Sequence, residues 1–346
     1  MALEFLGYKK HYGEVIIITD KNTFQISTQL GTCTACGANS FIIYRRYSGE
    51  KLCSNCFINS IEKNITSTIS KYKMLQPQDT VAVAISGGKD SITLLYNLLK
   101  IQENKHRSNK LSALTIDEGI SGYREESIKY AKKFCNEHNV ELKILSFKEQ
   151  VGKSLDEIIS IKKGHSDYQY ACNYCATLRR RLLNEGAKQI GANKIAIGHN
   201  LTDLAETYLM NILFKRYSII ANQYLFKQEQ GDIKKYYVKK VTPLMRIPEE
   251  EIFLYANIKG LQYYPSHCPY REEDPILRKR VLEFIQKCKN YSPEIEFNLL
   301  NGFLEISEVL YKHNPKKSYN FCKKCEYPCG GNDLCLYCRY VEEFSN

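Results

Sequence analysis

Val81-Ala82-Val83-Ala84-Ile85-Ser86-Gly87-Gly88-Lys89-Asp90-Ser91 decides the fold. Five β-branched or small apolar residues in succession read as a strand buried on both faces. Ser86-Gly87-Gly88 follows at once, and from Ser91 the apolar residues Ile92, Leu94, Leu95, Leu98 and Leu99 recur at helical spacing. A strand, two glycines and a helix aim backbone N–H groups and a helix N-terminus at an anion. Gly87 and Gly88 permit close approach, Ser86 and Ser91 offer hydroxyls, Lys89 adds positive charge, and Asp90 is suited to hold the Mg²⁺ of a nucleotide. The stretch fits neither G-x-x-x-x-G-K-[ST] nor G-x-G-x-x-G.

Outward from this loop the pattern alternates. Strands are expected at 81–85, 111–117, 140–146 and 194–198, and helices at 89–103, 122–138, 152–162, 173–190 and 201–214. Such alternation predicts an α/β fold, a doubly wound, Rossmann-like parallel sheet with helices on both faces and ligands beyond the carboxyl ends of its strands. Asp117-Glu118-Gly119 and Gly198-His199-Asn200 fall at two such ends, so three segments converge on one crevice. The core is expected to span 79–245 and a helical part 246–315, whose Ile247-Pro248-Glu249-Glu250-Glu251 suits a helix start. Residues 61–78 read as a linking helix. Residues 1–30 form an extension with strand-like 14–19 and 23–27 around a turn at 20–22, and no chemistry is assigned to them.

Eleven of the fourteen cysteines are grouped. Cys33/Cys36 and Cys53/Cys56 make two C-x-x-C knuckles within 31–60, and Cys322/Cys325 with Cys335/Cys338 repeat the device within 316–346. Paired knuckles at this separation point to four-cysteine zinc ribbons, one at each end of the chain. Cys329 is surplus to the second set, so exchange with Cys325 or Cys335 is open, and Gly330-Gly331-Asn332-Asp333 suits a ribbon turn. Cys135 and Cys288 lie in helical patterns as small hydrophobes. Cys172 and Cys175 begin a helix, where the dipole favours thiolate, and Arg179-Arg180-Arg181 follows. With Cys268 they make three thiolates, suited to a [4Fe-4S] cluster with one open iron, while a Cys172–Cys175 disulfide or persulfide is the alternative.

The formal net charge of +11 favours a polyanionic partner. No apolar run reaches membrane-span length and no signal-peptide segment is apparent, so a cytoplasmic protein with no membrane partner is expected.

Ser86-Gly87-Gly88-Lys89-Asp90-Ser91 resembles the PP-loop of the ATP pyrophosphatases, which split ATP between its α and β phosphates. Across about 31–340 the chain resembles the tRNA 2-thiolation enzymes, the TtuA and cytosolic thiouridylase group. The resemblance is carried by the first ribbon, the PP-loop, Ile116-Asp117-Glu118-Gly119-Ile120 with Gly122-Tyr123-Arg124, Cys172/Cys175, and Arg179-Arg180. It continues through Gly198-His199-Asn200-Leu201-Thr202-Asp203, Cys268-Pro269-Tyr270 and the last ribbon. Two positions depart: Ala176 stands where the family has Gly, and Thr202 where it has the first Asp of an Asp-Asp pair.

The resemblance implies adenylation of the uracil C2 oxygen of a tRNA, then sulfur transfer that gives 2-thiouridine and AMP. It implies ATP with Mg²⁺ at Ser86, Gly87, Gly88, Lys89, Asp90 and Ser91, with Ile116 and Gly198 bordering adenosine. Asp203 would be the catalytic carboxylate, Arg179 would stabilise phosphate or tRNA charge, and Cys172, Cys175 and Cys268 would hold the cluster. A ubiquitin-like sulfur carrier with a C-terminal thiocarboxylate and a homodimer are implied partners. The rival readings are another PP-loop enzyme, an amidotransferase or lysidine-type ligase, and a catalytically dead tRNA-binding module with two zinc ribbons. The three-cysteine set argues against the first, and the intact loop with Asp203 against the second.

Overall fold

The computed structural model describes residues 28–103, 110–166, 168–225, 235–271, 277–313, 320–329 and 332–345, and the backbone of 9–12, 15–20 and 23–26. Its centre is a five-stranded parallel sheet of β1 (Thr80–Ala84), β2 (Lys110–Asp117), β3 (Leu142–Ser146), β4 (Lys194–Ala196) and β5 (Lys239–Val241). The spatial order is β3-β2-β1-β4-β5. The chain winds outward from β1 in one direction through β2 and β3, then in the other through β4 and β5. The order therefore reverses between β1 and β4, where an open α/β sheet leaves a crevice beyond its carboxyl ends.

Alternation along β1 explains why both faces are covered. Val81 and Val83 join the cluster that includes Ile92, Leu94 and Leu95 of α2 (Lys89–Glu103) and Phe134 of α3 (Arg124–Glu137). Ala82 points the other way, with Leu114 and Ile195, onto Ala187 of α6 (Ala171–Gln189). Gly186 lets α6 settle on the sheet, since a Cβ there would lie 2.7 Å from the Leu114 side chain. The helix expected at 152–162 is α5 (Leu155–Lys162), and a short helix that was not expected, α4 (Phe147–Val151), precedes it. Gly152 ends α4 in the left-handed region at φ 87°. Ser154 and Glu157 start α5 with a capping box.

The two cysteine ribbons dock on different parts of this core. At the N-terminal end, Ile43–Arg45 pairs antiparallel with Glu50–Leu52, and α1 (Ser54–Lys71) leaves the second knuckle directly. Phe57, Ile61 and Ile65 of α1 are buried in the main core. Arg45 reaches Glu251 in α9 (Glu249–Ile258) through Nη2 at 2.7 Å, and Tyr47 donates its hydroxyl to the same carboxylate at 2.5 Å. Glu251 is 3% exposed, so neither charge is left uncompensated. At the C-terminal end, α12 (Leu336–Ser345) buries Tyr340 and Phe344 against Tyr174 of α6, with ring centroids 5.0 and 5.8 Å apart. Helices α7 (Leu201–Leu213), α8 (Tyr217–Asn222), α10 (Leu277–Lys289) and α11 (Ile295–His313) complete the fold. The N-terminal segment forms a three-stranded antiparallel sheet of Lys9–Tyr12, Val15–Asp20 and Thr23–Ile26; of the turn expected at 20–22, Asp20 ends a strand and 21–22 lie outside the described residues. Among the described residues no helix is long and apolar enough to cross a membrane.

Candidate active site

The turn between β1 and α2 is closed by its own serines. Ser91 Oγ accepts from the Ser86 N–H at 3.1 Å and donates to the Gly88 carbonyl at 3.0 Å. Gly87 adopts φ 86°, and a Cβ there would lie 1.9 Å from the Ser127 carbonyl oxygen. Only glycine meets both demands. Gly88 is roomier, with its nearest such contact 3.6 Å away at Ser86 Oγ.

Across the crevice the loop after β4 packs on this turn. A Cβ on Gly198 would come 3.1 Å from the Asp90 backbone carbon. Asn200 caps α7 by accepting the Asp203 N–H at 2.9 Å, and Asp203 returns the favour to the Asn200 N–H at 3.2 Å. The free amide of Asn200 donates to Asp90 Oδ1 at 3.1 Å, so the cap also ties the two loops together. Asp90 and Asp203 are both raised above the usual carboxylate range, chiefly by burial; Asp203 adds to this at Asp90, and Glu249 at Asp203. Lys89 extends its ammonium to Asp90 at 3.0 Å and to Glu249 at 2.7 Å. Burial opposes its charge, yet the two carboxylates outweigh burial and hold it firmly protonated. Glu249 escaped sequence reasoning, because its partner is 160 residues away and its local setting signals only a helix start.

His199 lines the crevice mouth and is pushed down to about 4, first by desolvation in the groove and then by Arg179 and Arg278. Ile116 lies at the end of β2 with its side chain buried, and its carbonyl accepts from Arg124 Nε at 2.8 Å.

Cys172 and Cys175 occupy the first turn of α6, and Cys268 precedes a 3₁₀ turn, Pro269–Arg271, that packs on that helix. Cys175 and Cys268 border the same apolar cluster, and the charge of Cys175 is coupled to both Cys172 and Cys268. The structure thus brings together three cysteines separated by up to 96 residues (268 − 172) in sequence. Burial pushes the Cys175 thiol up to about 12 in spite of Arg179 beside it, so the helix dipole alone does not make this a reactive thiolate. No disulfide joins any of the fourteen cysteines. The three arginines after Cys175 have separate fates. Arg179 faces Glu118 at 3.5 Å, and Arg180 is exposed. Arg181 turns its guanidinium onto the Tyr327 ring, 3.2 Å from the centroid, with Nη1 3.6 Å from Cys325 Sγ.

The two terminal tetrads have the geometry of single-ion sites. The ligand atoms of Cys33, Cys36, Cys53 and Cys56 lie within 4.8 Å of one another, as do those of Cys322, Cys325, Cys335 and Cys338. A tetrahedron with bonds of about 2.3 Å has edges of roughly 3.8 Å. Cys36 and Cys53 are 3.7 Å apart, and Cys325 and Cys335 3.6 Å. In the first tetrad the Cys53 N–H, with burial opposing, leads the groups that bring Cys33 down to about 6, while the neighbouring thiols push Cys56 up to about 12. Cys329 stands outside the second tetrad and donates to the Asn332 carbonyl at 3.2 Å. Gly330 and Gly331 lie outside the described residues. Among the described residues no third group is drawn this tight, so the core cysteines are spaced more widely than one ion requires.

Taken with the reversal of strand order, this loop defines a nucleotide-binding PP-loop protein, and a family model described as a PP-loop domain matches residues 58–283. The chain belongs to that family. Within it, the chain belongs with the tRNA 2-thiolation proteins. It is 35% identical over 314 residues to a probable sulfurtransferase of Methanocaldococcus jannaschii, covering 89% of this chain and 86% of the relative. It is 32% identical over 309 residues to the tRNA-5-methyluridine(54) 2-sulfurtransferase of Pyrococcus horikoshii, covering 89% and 93%. The structure of the U34-tRNA thiolase NcsA of Methanococcus maripaludis with its [4Fe-4S] cluster superposes with a TM-score of 0.74 at 29% identity, covering 90% of this chain and 96% of that one.

Proposed function

We propose that this chain is a tRNA uridine 2-sulfurtransferase that consumes ATP and acts in the cytoplasm. The observation that carries the reading is the meeting of a PP-loop with Cys172, Cys175 and Cys268 at one end of the sheet. The uracil C2 oxygen is a poor leaving group. Its attack on the α-phosphorus of ATP expels pyrophosphate and leaves AMP on that oxygen. Sulfide then adds at C2, the C2–O bond breaks, AMP departs, and the proton brought by sulfide is lost to solvent.

The PP-loop amides and Lys89 bind the phosphates and stabilise the charge that builds on the leaving pyrophosphate. Binding requires Lys89 to exchange Glu249 for a phosphate oxygen. Asp90 and Asp203 are the residues suited to hold Mg²⁺, which neutralises phosphate charge when bound. Arg179, which faces Glu118 and shares α6 with Cys172 and Cys175, would meet the AMP phosphate or the tRNA backbone. Cys172, Cys175 and Cys268, three cysteines of one region with no local fourth, would hold a [4Fe-4S] cluster, which when bound would supply an open iron able to carry sulfide. On the same reading the donor is a ubiquitin-like protein with a C-terminal thiocarboxylate and the chain works as a homodimer; family resemblance supports both.

Nucleoside mass spectrometry of tRNA from a strain lacking the gene tests the function. The expected result is loss of one 2-thiouridine derivative, and its position names the base. An unchanged thiouridine content overturns the reading.

Two further results are expected. Anaerobically purified protein should hold two Zn²⁺ per chain by elemental analysis, one in each tetrad; one or none counts against at least one ribbon. The net charge of +11 should act through phosphate contacts. At six to ten such contacts tRNA affinity falls by about 10³–10⁵ between roughly 50 and 200 mM salt. A flat salt response removes the electrostatic argument.

A further inference from the structure

Two consecutive carbonyls of the PP-loop are held from the cysteine side of the crevice. The Ser86 carbonyl accepts from Arg124 Nη1 at 2.7 Å. The Gly87 carbonyl accepts from the Tyr264 N–H at 2.9 Å, four residues before Cys268. Neither Arg124 nor Tyr264 has a part in the chemistry above.

Arg124 is the more telling of the two. It is 4% exposed, and its hydrogen bonds run to four places besides Ser86: the Ile116 carbonyl, Thr115 Oγ1, Ser127 Oγ and the carboxylate of Glu118. Glu118 is also 4% exposed. Its Oε2 lies 2.7 Å from Arg124 Nε, while its Oε1 faces Arg179 Nη1 at 3.5 Å. A buried ion pair of this kind is a poor source of net stability, because desolvation offsets most of the attraction. It is well suited to fixing geometry, since a planar fork against a carboxylate tolerates few arrangements. The result is a path from the Ser86 carbonyl through Arg124 and Glu118 to Arg179, which stands one turn after Cys175 on α6. The Tyr264 segment runs beside it. The Tyr264 ring lies 5.8 Å from Tyr123 and 5.9 Å from Tyr130, and beyond Cys268 the Tyr270 hydroxyl reaches Asp156 at 2.7 Å.

We propose that Arg124 and Glu118 are positioning residues that join the PP-loop to Arg179 and the cysteine helix, so that occupancy of the nucleotide site is felt at the sulfur site. This rests on the reading of the PP-loop as the ATP site and the three cysteines as the sulfur site. Linkage makes the effect reciprocal: whatever factor the nucleotide exerts on the cysteine segments, those segments exert on nucleotide affinity.

Amide hydrogen exchange of the full-length, anaerobically prepared protein tests this, with and without a non-hydrolysable ATP analogue and Mg²⁺. In the wild type, the analogue is expected to slow exchange in peptides covering 168–178 and 262–270 by about fivefold or more. Glu118→Gln keeps the shape and removes the charge. In this variant the analogue is expected to bind within about threefold of wild type and to slow exchange in the PP-loop, but to leave 168–178 unchanged. Thiolation by Glu118→Gln should lose about tenfold or more in kcat with little change in the KM for ATP, and Glu118→Asp should recover part of it. Wild-type protein that binds the analogue without any response at 168–178 overturns the coupling, whether or not the variant folds. A response that survives intact in Glu118→Gln overturns the assignment to this pair. Failure of the wild type to bind the analogue overturns the ATP-site reading itself, and the coupling with it.

Discussion

Alanine at any one of Cys172, Cys175 or Cys268 is expected to abolish iron absorbance and tRNA thiolation together, while zinc stays at the wild-type value. Cys175 and Cys268 border one apolar cluster and Cys172 is an electrostatic neighbour of Cys175, and the three are spaced more widely than a single ion needs. Removing one thiolate from a three-thiolate cluster leaves two irons without a protein ligand, and no fourth cysteine is at hand. The terminal tetrads are self-contained, so they should keep their metal. The alternative, a persulfide carried on Cys172 or Cys175, makes a different set of predictions. Iron-free, zinc-replete wild-type protein should then be fully active, and Cys268→Ala should be close to wild type. Either result removes the cluster from the reaction.

The second large effect is expected from Gly87→Ala. The substitution asks an alanine to hold φ 86° and to place its methyl group 1.9 Å from the Ser127 oxygen. Backbone strain in that region costs about 1–3 kcal/mol, and the clash forces the turn or α3 to move as well. ATP affinity should fall by about 10²-fold or more. Gly88→Ala is the matched control, because its methyl group meets Ser86 Oγ at 3.6 Å, an ordinary contact. Its effect should be within about tenfold. Isothermal titration with the non-hydrolysable analogue reads both. Equal losses at the two glycines mean that the local geometry does not govern binding.

The sheet and the loop were legible because their signals are local. A run such as Val81–Ile85 and the serines and glycines after it need only their immediate neighbours to be read. The tetrads were legible for the same reason, as spacing within two short segments. The short helix at 147–151 escaped periodicity, because five residues before Gly152 make too few turns to show a repeat. The site was half legible. Asp203, Arg179 and the three cysteines were found as motif residues, but their neighbours were not. Glu249 at Lys89, Glu118 between two arginines, and Glu251 under Arg45 are buried or partly buried carboxylates whose partners lie 160, 6 and 61, and 206 residues away. Such charges look like surface residues until the fold closes over them. Nor does the run Arg179–Arg181 by itself say which arginine faces what, since a helix sends successive side chains about 100° apart.

The pairing of Arg45 with Glu251 has a consequence for the order in which the protein is made. The first tetrad is complete once Cys56 has emerged, and its four ligands lie within 24 residues (33 to 56). Its anchor is 206 residues further along than Arg45. At about 5–20 residues per second, the ribbon waits on the order of 10–40 s on the ribosome before Glu251 exists. With zinc bound as proposed, the metal would hold the ribbon together through that interval without help from the core, and the face around Arg45 and Tyr47 would stay wet. Stalled chains ending shortly after Cys56 should therefore bind zinc, whereas protection of the Arg45 face from proteolysis should appear only in chains long enough to expose Glu251 outside the exit tunnel.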